Sequence, residues 1–402
     1  MKKILELAVA LAILIFVSGA YGADEDFVSV GPHGWCDYIT DGTADEVQIN
    51  QAIQYCKNTA GVKSVFLAGP SYSLSGTVTI DTAIEFYGSS MGTVTITRNS
   101  GTAIEVTAND CNLHGFTSGS TGGVGCGIKT IDASNTLITD VRVYGFDTGV
   151  NIHGGVCNEL HHLSVSDCVI DGILLDGDTT EAVINYASIW GGDTTFAGLH
   201  LRHASGSFIT NVDVMVCEIG LLIDPAAGEV CHWNMFTQCD FDSCTSGQAT
   251  GVFISSNGGP VRGVFMNMPW IASNGRGILI SSNVDGVYLN DPTIFVNANI
   301  GIHVMGNASN VKIHGGMLGV NSARATTTQA FVDTTGYVEF SDVQIGKQLM
   351  LGPSTPTWHL VFTGNVLDAL VSGCHFSDSG SSGKVSDSSG GRVAFIGNNG
   401  YP

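Results

Sequence analysis

Short apolar runs led by glycine recur along the chain, each followed by Gly, Asn, Ser or Asp. They read "GVNIHG" from Gly149, "GILLDG" from Gly172, "GLHLRH" from Gly198, "GLLIDP" from Gly220, "GVFISS" from Gly251, "GILISS" from Gly277 and "GIHVMG" from Gly301. "GIKTID" from Gly127 and "AIEVTA" from Ala103 extend the series backwards, with steps of 22 to 31 residues throughout. A period in this range, sustained over so many copies, is the mark of a solenoid. Within each copy the apolar residues alternate in threes to fives between turn residues, which predicts short strands. No copy contains a segment of helical period, and the leucine-rich frame is absent. The pattern therefore predicts a β-helix in which each copy is one coil, stacked at the strand spacing of about 4.8 Å.

A second column of polar positions is expected at Thr139, His161, Asn185, Thr210, Gln238, Asn267, Asn290 and His314. Stacked side chains of this kind hydrogen-bond along the axis, so His161 and His314 are read as ladder members rather than catalysts. Counting on from that column, strand alternation sends one residue inward and its two neighbours outward. The outward set includes Tyr144, Trp190, Asp213, Trp270 and Phe295, whereas Phe241 and Ser243 occupy the corresponding places in the coil after Asp213.

The ends of a stack need covers. "DYITDGTADEVQINQAIQYCK" supplies one amphipathic helix, with Ile49, Ala52, Ile53 and Cys56 on one face and Asp41 or Thr43 as its cap. The expected organisation is a signal peptide over 1–23, an N-terminal cap over 24–76, coils over 77–378 and a turn-rich tail with a last strand over 379–402. The signal reading rests on Lys2 and Lys3, the apolar run Leu7 to Val17 and the small residues Ala20 and Gly22. It implies a secreted or cell-surface protein with no membrane insertion once the signal is removed.

Composition narrows the partners. Without 1–23 the chain keeps 13 basic and 35 acidic side chains, which excludes nucleic acid as a natural partner. A neutral glycan meets no electrostatic barrier, and a polyanionic one needs a bridging cation; Ca²⁺ is the only cofactor the chemistry leaves open. The eleven cysteines are irregularly spaced, with Cys36–Cys56 and Cys217–Cys244 as candidate disulfides. No zinc-type spacing occurs.

"DGTADEVQINQAI", "VFLAGPSYSLSGTVTI" and "IEFYGSS" resemble the N-terminal opening, first strand and first coil of the pectate-lyase superfamily. "VAFIGNNGYP" is similar to the last strand of phage tailspike and depolymerase β-helices. The resemblance covers nearly all of the chain after residue 23. It implies a right-handed parallel β-helix, all-β apart from its N-terminal capping helix. It also implies a protein of the class that contains lyases, hydrolases, epimerases and non-catalytic surface proteins. The calcium and arginine motifs of pectate cleavage itself are not recognisable.

Candidate chemistry follows from the outward residues. Exposed aromatic rings suit the C–H face of a sugar, and glycoside hydrolysis needs two carboxyl groups about the scissile bond. Asp213 is the expected catalytic carboxyl, with Asp242 or Glu218 as its partner, and Asp193 lies on a neighbouring loop. Trp190, Trp270 and Tyr144 are expected sugar platforms. Arg202, His200 and Arg276 are the cations a lyase would use as base or as neutraliser. No metal site is expected. Two alternatives stay open beside the hydrolase: a non-catalytic adhesion protein holding a glycan or partner, and a homotrimer whose interface buries the aromatics.

Overall fold

The computed structural model describes residues 26–192, 195–244, 249–256, 258–319, 321, 328–346, 358–377 and 383–400. The segment expected to be a signal peptide lies outside them, as does Asp193.

The glycine-led runs stack in the register read from the sequence. Ile128, Val150, Ile173, Leu199, Leu221, Val252, Ile278 and Ile302 form one continuous inward column. These runs make a 13-stranded, wholly parallel sheet. The glycines are there because the coils approach too closely for a side chain. A Cβ on Gly172 would sit 2.6 Å from the Gly198 carbonyl oxygen, and one on Gly277 would sit 2.3 Å from that of Gly301.

The rest of each coil contributes to a second, bent sheet of 29 strands. One limb carries the polar column and is called the ladder limb. The other, the short limb, is built mostly of three-residue strands such as Ser188–Trp190, Asp213–Met215, Asp240–Asp242 and Trp270–Ala272. The bend between the limbs is made by one residue per coil in the left-handed region, among them His162, Tyr186, Asn211, Gln238, Met268 and Asp291. Asn and Asp tolerate that region well.

Gln238 is thus a bend residue and not part of the polar column. Thr237 takes its place, between Thr210 and Asn267. The column is hydrogen-bonded in places: Asn290 Nδ2 donates to Asn267 Oδ1 at 2.9 Å, and His314 Nδ1 lies 3.1 Å from Ser341 Oγ. His161 instead turns to Glu159 in its own strand, at 2.8 Å. A fully buried amide ladder runs at the corner beyond the short limb. There Asn274 accepts from the Cys244 N–H, Asn297 from the Asn274 N–H and Asn321 from the Asn297 N–H, each one coil back.

One helix occurs among the described residues, α1 (Glu46–Asn58). Ile49, Ala52, Ile53 and Cys56 are all buried against the first coils. The helix starts at Asp45, not at Asp41 or Thr43, and no side chain caps it. Asp45 and Glu46 instead staple the helix to the stack: Asp45 accepts from the Ser73 N–H and Glu46 from the Ser75 N–H and hydroxyl. Burial pushes the Glu46 carboxyl up, but the Ser75 hydrogen bonds outweigh it and hold the group below its usual range. Stacking already begins at Phe27–Gly31 and runs through Val393–Ile396, inside the segments assigned to cap and tail.

Neither expected disulfide forms. All eleven cysteines are free thiols and ten are buried, so Cys36, Cys56, Cys217 and Cys244 serve as small core residues. Among the described residues, no helix is long and apolar enough to cross a membrane.

Candidate functional site

On the short limb, outward residues form two columns parallel to the axis. The first runs Arg142, Ser164, Ser188, Asp213, Asp240, Trp270, Thr293. The second runs Tyr144, Ser166, Trp190, Met215, Asp242, Ala272, Phe295. Asp213 therefore neighbours Asp240 across one strand spacing, and Asp242 follows two residues along the same strand. Three carboxyl groups meet on one half-buried patch.

Asp240 was missed by the sequence reading. The slip at Gln238 shifted that coil by one residue, which pointed Phe241 outward. In the structure Phe241 is fully buried, and its neighbours Asp240 and Asp242 face out. The signal was present in the alternation of Phe236, Phe241 and the acids around them.

The patch is electrostatically uncomfortable. Burial first, then the charges of Asp213 and Asp242, push the Asp240 carboxyl up to about 7. Burial and then Asp242 raise Asp213 as well. The Oδ1 atoms of both Asp213 and Asp240 are buried with no hydrogen-bond partner among the described residues. Asp242 differs, because the Ser243 hydroxyl donates to its Oδ1 at 2.9 Å. Close carboxyls under these conditions share protons, and Asp240 is the one placed to keep a proton near neutrality.

Two tryptophans flank it. Trp270 pairs directly with Asp240 in register, is 42% exposed and meets Phe295 edge-on at 4.7 Å. Trp190 is 48% exposed and lies beyond Met215, two coils from Asp242 in the same column. From Trp190 to Trp270 is three strand spacings, roughly 14 Å, with the acids between. Between Arg142 and Thr293 the outward positions of this limb hold no basic residue.

The remaining expected residues are elsewhere. Tyr144 is on the same limb but three coils from Asp213, under the Arg142 guanidinium at 5.7 Å. Glu218 is exposed at the corner leading into the 13-stranded sheet. That sheet's outer face carries the three cations. His200 Nδ1 lies 3.0 Å from Asp171, Arg202 forks onto Asp176, and Arg276 is beside His303, whose pKa is lowered by burial and then by that arginine. None of the three joins the acidic cluster. Among the described residues, no group of three or more His, Cys, Asp or Glu side chains is placed to hold a metal ion.

No known family profile matches the chain, and no curated protein matches it. Solved structures do. The A-module of mannuronan C-5 epimerase AlgE6 from Azotobacter vinelandii superposes with a TM-score of 0.60 at 15% identity, over 91% of this chain and 98% of that one. DFA-IIIase from Arthrobacter chlorophenolicus A6, in complex with GF2, gives 0.57 at 13% identity over 77% and 93%. A catalytic domain of GH87 alpha-1,3-glucanase, in complex with tetrasaccharides, gives 0.53 at 13% over 87% and 67%. What this likeness shows is the fold: the chain is a parallel β-helix.

Proposed function

We propose that this protein is a glycoside hydrolase acting on a neutral or weakly charged polysaccharide bound along the short limb. The observation that carries the reading is Asp240, a carboxyl group raised to about 7, between two other carboxyls and two exposed tryptophans. Asp240 donates a proton to the glycosidic oxygen, and Asp242, fixed by Ser243, acts as base toward water. Backbone geometry separates Asp240 from Asp242 by about 6.6 Å along the strand and Asp213 from Asp242 by about 7–8 Å on the diagonal. For the acid and base, Asp240 and Asp242, this backbone spacing leaves room for the water that inversion requires. Asp213 keeps the proton on Asp240 by repulsion of its charged form.

Hydrolysis is preferred to elimination because the face carries no cation to neutralise a uronate. The solved structures named as glucanase and as a GF2 complex support a sugar ligand in general terms. With the signal reading of 1–23, the protein would act outside the cell. The second reading, a non-catalytic surface protein, is favoured by a different observation. On the ladder limb, Phe208 and Met235 are exposed beside the stacked rings of Trp233, Phe265 and Tyr288. Those rings cover one another's faces and offer edges, which suits protein contact, including a homotrimer, more than sugar stacking.

Incubation with a panel of neutral and acidic glycans separates the readings. New reducing ends without unsaturated products, abolished in Asp240→Asn, are expected. Unsaturated products, or cleavage indifferent to Asp240, would remove the hydrolase.

A further inference from the structure

The N-terminal cap carries a second aromatic surface, at the end of the stack and away from the acidic patch. α1 buries Ile49, Ala52, Ile53 and Cys56, and its opposite side carries Val47, Gln51 and Tyr55 at a spacing of four residues. This stripe and Tyr38, from the short strand Tyr38–Ile39, line a groove of about 590 Å³ together with Asn50, Gln54 and Asn58. That volume is in the range of small-ligand sites, about 300–1,000 Å³. Val47 and Tyr55 are exposed on a cover that a solenoid needs to be polar.

The lining has a consistent chemistry. It offers two phenol rings and four carboxamides, and no ionic group, in a chain of net charge −21. Asn50 is fixed by the first coil, donating to the Thr77 carbonyl and accepting from the Thr79 N–H, both at 2.9 Å. Gln54 leans on Asp81 at 3.2 Å. Gln51 and Asn58 are exposed and have no side-chain hydrogen bond among the described residues, so both amides are free to meet a ligand. Burial, and then the proximity of Tyr55, push the Tyr38 phenol up, which agrees with the two rings facing one groove.

Charge selects the occupant. Residues 26–63 carry Asp26, Asp37, Asp41, Asp45 and Glu46 against Lys57 and Lys63, and Lys57 is paired with Asp81. A second copy of this chain, or an acidic glycan, approaching this end meets like charge. A neutral sugar meets none, and it uses rings through its C–H face and carboxamides through its hydroxyls.

We infer that the groove between α1 and Tyr38 is a binding site for a neutral oligosaccharide, separate from the acidic face and suited to holding a polymer while the other site works on it. The inference does not depend on hydrolysis at Asp240. The test is calorimetric titration of the whole protein with neutral hexasaccharides of glucose, mannose and galactose. It uses the wild type, Trp270→Ala, Tyr55→Ala and Gln51→Glu, with sedimentation and thermal melts on each. At least one sugar is expected to bind, and to bind Trp270→Ala still. Tyr55→Ala and Gln51→Glu, both surface changes with unaltered melting, are each expected to weaken that binding by about tenfold, the first through the loss of one stacked ring and the second through the loss of an amide donor to the sugar hydroxyls. Three results would overturn the inference: no member of the panel binding, binding lost in Trp270→Ala alone, or a solution dimer that Tyr55→Ala dissolves. If Asp240→Asn proves irrelevant to cleavage while the cap variants lose sugar, the hydrolase reading fails and this one stands.

Discussion

Two pairs of shielded carboxyls sit on different faces of successive coils. On the 13-stranded sheet, Asp171 and Asp176 have side chains only 5% exposed, and each meets a base from the next coil, His200 and Arg202 respectively. On the short limb, Asp213 and Asp240 face each other with no cation, and each has an unpartnered oxygen. Burial alone would raise Asp176, Asp213 and Asp240. At Asp176 the guanidinium of Arg202, with the Gly177 N–H and His153, outweighs burial and pulls the pKa down. At Asp240 the neighbours add to burial instead. The fold spends the first pair on holding coils together and leaves the second in a state that only a reaction or a ligand relieves.

That contrast can be broken in order of effect. Asp240→Asn should lower cleavage by about 10²–10⁴-fold, measured as reducing-end release, whereas Asp176→Asn should leave the rate per folded molecule unchanged. An Asp176 effect on kcat larger than that of Asp240 would reverse the assignment. Next, Arg202→Met should destabilise the protein by about 1–3 kcal/mol in denaturant unfolding, since it strands a buried carboxylate beside a partly solvated partner. No loss there would mean the pair is not structural. Trp270→Ala should cost about tenfold in kcat/KM, mostly through KM, as expected for a lost stacking platform.

The smallest effect is on stability against pH, and its sign differs between the two sides. The folded pKa of Asp240 lies above its unfolded value, so its contribution is full below the ordinary carboxylate range of about 3.9 and is lost as pH rises through its folded value. Asp240→Asn should then raise the melting temperature by a few degrees at about pH 8 and not at about pH 4. Asp176 is depressed, so its contribution is present at neutral pH and fades as the pH falls below the carboxylate range. Thermal melts of both Asn variants across pH check the opposite slopes.

The stack itself was readable because each coil repeats one physical demand, glycine where backbones approach and β-branched residues where the core must be filled. The column from Ile128 to Ile302 needed nothing more. The site was less readable because function sits where the repeat is interrupted. Residues 224–230 add a loop in the coil that leads to Asp240, and a polar glutamine at 238 mimicked the ladder residue one place late. A single slip flips every side chain to the other face, which hid Asp240 while Asp213, Trp190 and Trp270, in undisturbed coils, kept their outward positions. Glu218, His200 and Arg202 were grouped with them by nearness in sequence, but Glu218 lies at the corner after Met215, and His200 and Arg202 belong to the run of the 13-stranded sheet that precedes Asp213.

The central claim is that Asp240 holds a proton near neutrality. Carboxyl ¹³C NMR titration of the whole protein, with Asp240→Asn to assign the signal, reads this directly. One aspartate titrating at about 7 and missing from the variant is the expected result, alongside another, lost in Asp176→Asn, that titrates below the usual range. If every aspartate titrates at or below about 4, Asp240 is an ordinary surface acid and the account of this face is wrong.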